Sequence, residues 1–142
     1  MILISHRGNI KGPNPERENS PSYIMEALHQ GFQVEADVWW HREGFVLGHD
    51  QPTYPIEFGF LFQSNLWCHA KNTTALIRMV NHHIHCFWHQ NDDVVLTSQN
   101  YLWTFPGKTI AHERAIAVMP ETVKDWDYRQ AIGICSDYIG EM

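Results

Sequence analysis

Short apolar runs separated by polar turns recur along the chain. Met1-Ile2-Leu3-Ile4-Ser5 is nearly continuous and reads as a buried strand. A polar loop follows over residues 6–19, punctuated by Gly8, Gly12, Pro13 and Pro15. Ser20 is then placed to cap a helix, with Pro21 at the first helical position, where no N–H is needed. Ile24, Ala27 and Leu28 share a face of that helix, and Gly31 can close it in a left-handed conformation. Residues 32–40 alternate as a strand does. Glu35, Asp37 and Trp39 fall on one side, and Val34, Ala36, Val38 and Trp40 on the other.

The turn His41-Arg42-Glu43-Gly44 sends the chain back over residues 45–48, which end at His49-Asp50. A strand over 65–70, a helix over 73–81 and an apolar run over 85–88 come next. Residues 94–97 and 101–104 flank Ser98-Gln99-Asn100 as a hairpin, and 115–119 and 131–136 are two more short strands. Strand–helix–strand order with short strands throughout predicts an α/β fold in a single domain over residues 1–142.

Composition narrows the partners. Sixteen acidic residues against ten Lys and Arg give a formal charge of -6, a surface that disfavours nucleic acid and anionic membranes. An anionic substrate therefore needs a local cation. Cys68, Cys86 and Cys135 are odd in number, widely spaced and set in strand-like surroundings, which predicts buried free thiols, a reducing compartment and a cytoplasmic location. The apolar start is only four residues long, too short for a signal peptide, and no membrane span is expected.

Four polar clusters end apolar runs: His6-Arg7-Gly8, Glu35 with Asp37, His49-Asp50, and His69 with Lys71. Polar groups late in parallel strands are where barrel enzymes keep their sites. Two carboxylates about 7 Å apart on one strand face repel each other unless a cation lies between them. A divalent ion with oxygen ligands meets that need; an exposed edge strand with two solvated acids is the other reading. His6 and His49 suit proton donation and acceptance near neutral pH. Arg7 and Lys71 supply cations for an anionic substrate. His82, His83, His85 and His89 lack an acid or Cys to complete a ligand set and read as a surface cluster. Phe58, Phe60, Leu61 and Phe62 suit an apolar lid or core packing equally.

The ordered series His6-Arg7-Gly8, Glu18-Asn19-Ser20, Ala27, Gly31, Glu35-Ala36-Asp37-Val38, Gly44 and His49-Asp50 resembles the N-terminal signature of the glycerophosphodiester phosphodiesterase family. His69-Ala70-Lys71 sits where that family has E-x-K, and residues 133–138 resemble its final-strand segment. The resemblance implies a TIM-type β/α barrel and a small phosphodiester substrate. It implies His6 and His49 as acid and base, Glu35 and Asp37 as ligands of one divalent ion, Mg²⁺ or Ca²⁺, and Arg7 and Lys71 against phosphate. His69 replaces the third carboxylate ligand, which shifts preference toward Mn²⁺ or another transition ion or weakens binding.

Length is the second departure, since such a barrel typically needs about 250 residues. The expectation is a compact, shortened barrel with several outer helices missing and the first and last strands adjacent. The functional expectation is a metal-dependent phosphodiester hydrolase. The alternative is a phosphate-ligand-binding protein that keeps the fold with weak or no turnover.

Overall fold

The computed structural model describes residues 1–142. Ten strands form one mixed sheet. They are β1 (Ile2–His6), β2 (Gln33–His41), β3 (Gly44–Leu47), β4 (Tyr54–Pro55), β5 (Leu66–Ala70), β6 (Cys86–Trp88), β7 (Val94–Leu96), β8 (Leu102–Thr104), β9 (Ala115–Val118) and β10 (Gly133–Ser136). The two α-helices are α1 (Pro21–His29) and α2 (Thr73–Asn81). No helix is long and apolar enough to cross a membrane.

Seven strands run parallel in the order β6-β5-β2-β1-β10-β9-β8. The two ends of the chain lie side by side at the centre: Ile2 pairs with Gly133 and Ser5 with Ser136. The sheet curls into a half-barrel. Its inner side is closed across the curl by aromatic contact, with Trp103 of β8 near Trp67 of β5 and Phe87 of β6 at ring-centroid distances of 5.8 and 4.7 Å. The expected closure of the barrel is met only in part, because no ladder joins β6 to β7 or β8. There the turn after β7 bridges instead: Ser98 N–H donates to the Cys86 carbonyl, and Cys86 N–H donates to Ser98 Oγ. Cys86, at the start of β6, spends both its backbone groups on Ser98, so no ladder forms there.

Strand alternation divides the core in two. Val34, Ala36 and Val38 of β2 face outward with Cys68 and Ala70 of β5, and α1 and α2 cover them with Ile24, Ala27, Ala75 and Met79. Inside the curl, Ile4, Trp67, Phe87, Trp103, Ile116 and Cys135 form a second cluster. With only two helices, the outer apolar layer is confined to the β2–β5–β6 side. All three cysteines are free and buried as expected.

The local signals act as their chemistry dictates. Ser20 Oγ accepts the Tyr23 N–H at the start of α1, and Gly31 leaves that helix at φ 93°. Asn72 does the same for α2 through the Ala75 N–H, and its amide also clasps the Trp40 backbone on β2, which pins the helix to the sheet. Residues 58–62 form a short 3-10 turn with Leu61 in the outer core and Phe60 packed against it, while Phe58 and Phe62 are exposed; none of the four lines the cleft, so the segment is not a lid over the site. The surface reading of the His cluster holds for His82 and His83 only. His85 is buried between Trp67 and Thr97 Oγ1, and His89 turns inward. The reason is alternation: these two follow the inward phase of β6, set by Phe87.

Gly133 lies at the tightest point of the central ladder. A Cβ there would stand 2.7 Å from the Ile2 carbonyl oxygen and 2.9 Å from Ile116 Cδ1. Gly133→Ala should lower unfolding free energy by about 1–3 kcal/mol through overpacking, read as a reduced urea midpoint at unchanged slope. An unchanged midpoint would mean that β1, β10 and β9 do not meet as described.

Candidate functional site

Two residues beyond the apolar layer, the inward phase turns polar at the C-terminal ends of the parallel strands. Ile4 is followed by His6, Trp67 by His69, Phe87 by His89 and Cys135 by Asp137. On β2 two successive inward positions are acidic, Glu35 and Asp37, and both are buried. Register sets Glu35 beside His6 and Asp37 beside His69. The result is a cleft of about 410 Å³ lined by His6, Arg7, Glu35, His49, His69 and Lys71 with an apolar wall opposite.

Each side chain is held by specific partners. Asp37 Oδ2 accepts from Asn19 Nδ2 at 2.9 Å, while Asn19 Oδ1 accepts the Asp37 N–H at 2.9 Å. Arg7 Nε lies 3.2 Å from the same Oδ2, and its Nη1 donates to Glu18 Oε1 at 3.3 Å. Asp37 Oδ1 and Glu35 Oε2 are buried without a hydrogen bond. His69 Nε2 donates to the His89 carbonyl at 3.1 Å, so its Nδ1 turns toward the carboxylates, 3.1 Å from Asp37 Oδ1 and 3.9 Å from Glu35 Oε1. A neutral imidazole in this tautomer sets a lone pair against two carboxylates. Either a proton or a metal cation must lie there.

The donor set fits a divalent ion. One ligand atom each of Glu35, Asp37 and His69 lies within 4.8 Å of the others, each carboxylate has a buried oxygen without a hydrogen bond, and the imidazole is oriented by its second nitrogen on a backbone carbonyl. Burial, then the neighbouring charge of Asp37, pushes the Glu35 carboxyl up to about 7. Burial works against ionisation of Asp37 too, but His69, Arg7 and Asn19 outweigh it and hold that carboxyl well below the usual range.

His6 Nδ1 donates to Asp137 Oδ1 at 2.8 Å, and Asn9 Nδ2 donates to the same oxygen at 2.8 Å. The Nε2 atom of His6 is thereby directed at the cleft, 3.7 Å from Glu35 Oε2. Burial opposes charging this ring, but Asp137 and Glu35 prevail and its pKa is raised. His49 reaches the opposite rim on the β2–β3 hairpin, where Gly48 N–H donates to the Asp37 carbonyl. Gly48 has φ 152°, and a Cβ there would fall 2.1 Å from the Gln51 carbonyl oxygen, so the return of His49 to the cleft depends on glycine. His49 Nδ1 donates to Asp50 Oδ1 at 2.8 Å in an exposed setting.

All seven residues singled out from the sequence therefore line or underlie one cleft. Arg7 is the one whose surroundings differ from expectation, since its guanidinium is engaged by Glu18 and Asp37. Lys71 has no carboxylate within ion-pair distance among the salt bridges of the chain. Asp137, Asn9, Asn19 and His89 were given no role by the sequence reading. Asn19 and Asp137 stand inside motif segments, and inward alternation from Phe87 is the signal that could have found His89. No family model, curated protein or solved structure matches the chain.

The raised Glu35 carboxyl has a thermodynamic sign. Its folded-state value lies above its ordinary one, so its contribution to stability is full below pH 4.5 and is lost as pH rises toward about 7. Glu35→Gln removes that loss. In the presence of a chelator, the variant should gain on wild type by on the order of 1–3 kcal/mol between pH 4.5 and 8 in urea unfolding. Added Mn²⁺ should reverse the gain by stabilising wild type more. A difference that is flat with pH would mean Glu35 is not buried beside Asp37.

Proposed function

We propose that this chain is a metal-dependent phosphodiester hydrolase of the glycerophosphodiester phosphodiesterase type, acting on a small phosphodiester. Its curled parallel sheet is then a shortened relative of the TIM-type β/α barrel. The observation that carries the reading is the convergence of a Glu35–Asp37–His69 ligand set with two oriented imidazoles, His6 and His49, on one cleft. The motif order along residues 6–50 supports the same conclusion.

In this mechanism Glu35, Asp37 and His69 hold one divalent ion, Mg²⁺, Ca²⁺ or Mn²⁺. Bound there, it supplies Lewis-acid polarisation of a phosphoryl oxygen. Lys71 offers its ammonium to the phosphate as a point charge. Arg7 steadies Asp37 and Glu18 and borders the phosphate position. One imidazole accepts the proton of the attacking hydroxyl or water, and the other donates a proton to the leaving alkoxide. Asp137 fixes the tautomer of His6 by accepting its Nδ1 proton, so that Nε2 does the exchange, and exposed His49 makes the same Nδ1 contact with its neighbour Asp50. The dry floor of Trp67, Phe87 and Trp103 beneath the site strengthens these interactions by excluding water.

His6→Ala and His49→Ala should each lower turnover by about 10²–10⁴-fold; His49→Ala should change stability little, whereas His6→Ala also removes the partner of Asp137 and should cost about 1–3 kcal/mol. Wild-type kcat/KM should follow a bell-shaped pH curve, and each variant should lose one limb. If either variant keeps near-wild-type turnover, that residue is not part of the acid–base pair. Binding of phosphodiesters without turnover in the wild type would favour the phosphate-ligand-binding alternative.

The metal prediction rests on residue 69. His69→Glu adds a charge and a hard oxygen, so it should strengthen Mg²⁺ and Ca²⁺ binding relative to Mn²⁺, while Asp37→Asn should abolish binding of all three. Calorimetric titration decides this. An unchanged Mg²⁺ to Mn²⁺ ratio in His69→Glu would put residue 69 outside the coordination shell.

A further inference from the structure

The connections after β8 and β9 contain no α-helix, and together they build a groove away from the cleft. Residues 105–114 join β8 to β9, and residues 119–132 join β9 to β10. The two loops approach at Gly107 and Val123, where a Cβ on the glycine would stand 3.5 Å from Val123 Cγ1. Between them lies a hollow of about 330 Å³, and a second hollow of about 450 Å³ shares Trp126 and Asp127 with it. Neither has a lining residue in common with the cleft.

The side chains of this groove follow one pattern. Trp126 and Tyr128 are half-buried, with ring centroids 5.7 Å apart. The indole is fixed, because Trp126 Nε1–H donates to the Lys108 carbonyl at 2.8 Å. Planar polar groups stand beside the rings. The Asp127 carboxylate accepts from Arg129 Nε and Nη2 at 2.9 and 2.8 Å, and Asp127, Arg129 and Gln130 are all exposed. The charges are matched in pairs, Asp127 with Arg129 and Lys108 with Asp93 at 3.3 Å.

Paired charges favour an uncharged ligand. Fixed aromatic rings beside planar hydrogen-bonding groups favour one with an apolar face and adjacent hydroxyls. A pyranose has both: its axial C–H bonds lie against an aromatic ring, and its neighbouring hydroxyls span the two polar atoms of a carboxylate, guanidinium or amide. We propose that the groove binds a neutral linear oligosaccharide, with sugar rings against Trp126 and Tyr128 and hydroxyls held by Asp127, Arg129 and Gln130. A proline-rich peptide also docks in aromatic-lined grooves, where side-chain donors hold its carbonyls. Here the indole N–H is already spent on Lys108, which leaves only the ring to offer and favours the sugar. The proposal does not rest on the phosphodiesterase reading.

The test is a proton–nitrogen correlation NMR titration of the whole protein, with the Trp126 indole N–H assigned by its loss in Trp126→Phe. The probes are cellohexaose, maltohexaose and hexaproline. At least one glucan should shift the Trp126 indole and the Tyr128 and Gln130 amides saturably, and leave the Trp103 indole in the cleft unmoved. Tyr128→Ala and Gln130→Ala should each weaken that binding by about tenfold, and Trp126→Phe, which keeps a ring, by less than Trp126→Ala. Should Trp126→Ala fail to fold, the Tyr128 and Gln130 variants still decide the matter. No shift of the Trp126 indole with either glucan, a shift confined to the Trp103 indole, glucan affinity unchanged in both Tyr128→Ala and Gln130→Ala, or tighter binding of hexaproline would overturn the assignment.

Discussion

Two carboxylates at successive inward positions of one central strand must be kept inside a nearly dry interior. Glu35 and Asp37 are both buried, and like charges that close cannot both ionise there without compensation. Much of the surrounding architecture serves that requirement. Asn19 grips Asp37 from the loop before α1, Arg7 faces it from the turn after β1, and His69 approaches it from β5. These partners come from three separate parts of the chain, and only the central position of β2 between β1 and β5 brings them together. The compensation is still incomplete, since one oxygen of each carboxylate has no hydrogen-bond partner. That deficit is what the cation proposed above would meet.

The rest of the fold follows from needing this layer at the strand ends with few residues. An apolar layer of Ile4, Trp67, Phe87, Trp103, Ile116 and Cys135 fills the curl, and large aromatics let a half-barrel exclude water without a complete ring of strands. Helices cover the outside only where β2, β5 and β6 need it. The remaining edge is stitched by Ser98 to Cys86. The hairpin of β2 and β3 extends past the parallel sheet and returns His49 to the cleft.

Much of this was legible in the sequence, for identifiable reasons. Most strands and both helices announce themselves by alternation, by Ser20 and Pro21 and by the apolar face of 24–28, and their limits agree with the structure to within a residue or two; the two-residue β4 carries no such signal. Glu35 and Asp37 were legible because strand phase alone puts them on one face. The partners of His6 were not: the expected adjacency of the first and last strands holds, but which side chain after β10 meets His6, 131 residues away, depends on the ladder register, which no local pattern encodes. The inward fate of His85 and His89 was missed for a different reason. Their neighbours His82 and His83 are exposed, and the phase changes from helix to strand within three residues. The seam at Ser98 was equally hidden, because a single serine in a polar turn carries no periodic signal.

The central claim is that a cation belongs between Glu35, Asp37 and His69. The most direct measurement is a crystal structure of the protein soaked with Mn²⁺, with the ion located by its anomalous scattering. The account predicts one peak bonded to a carboxylate oxygen of Glu35, Asp37 Oδ1 and His69 Nδ1, with His69 Nε2 still donating to the His89 carbonyl. A site without such a peak at saturating Mn²⁺, with His69 donating a proton directly to Asp37, would contradict it.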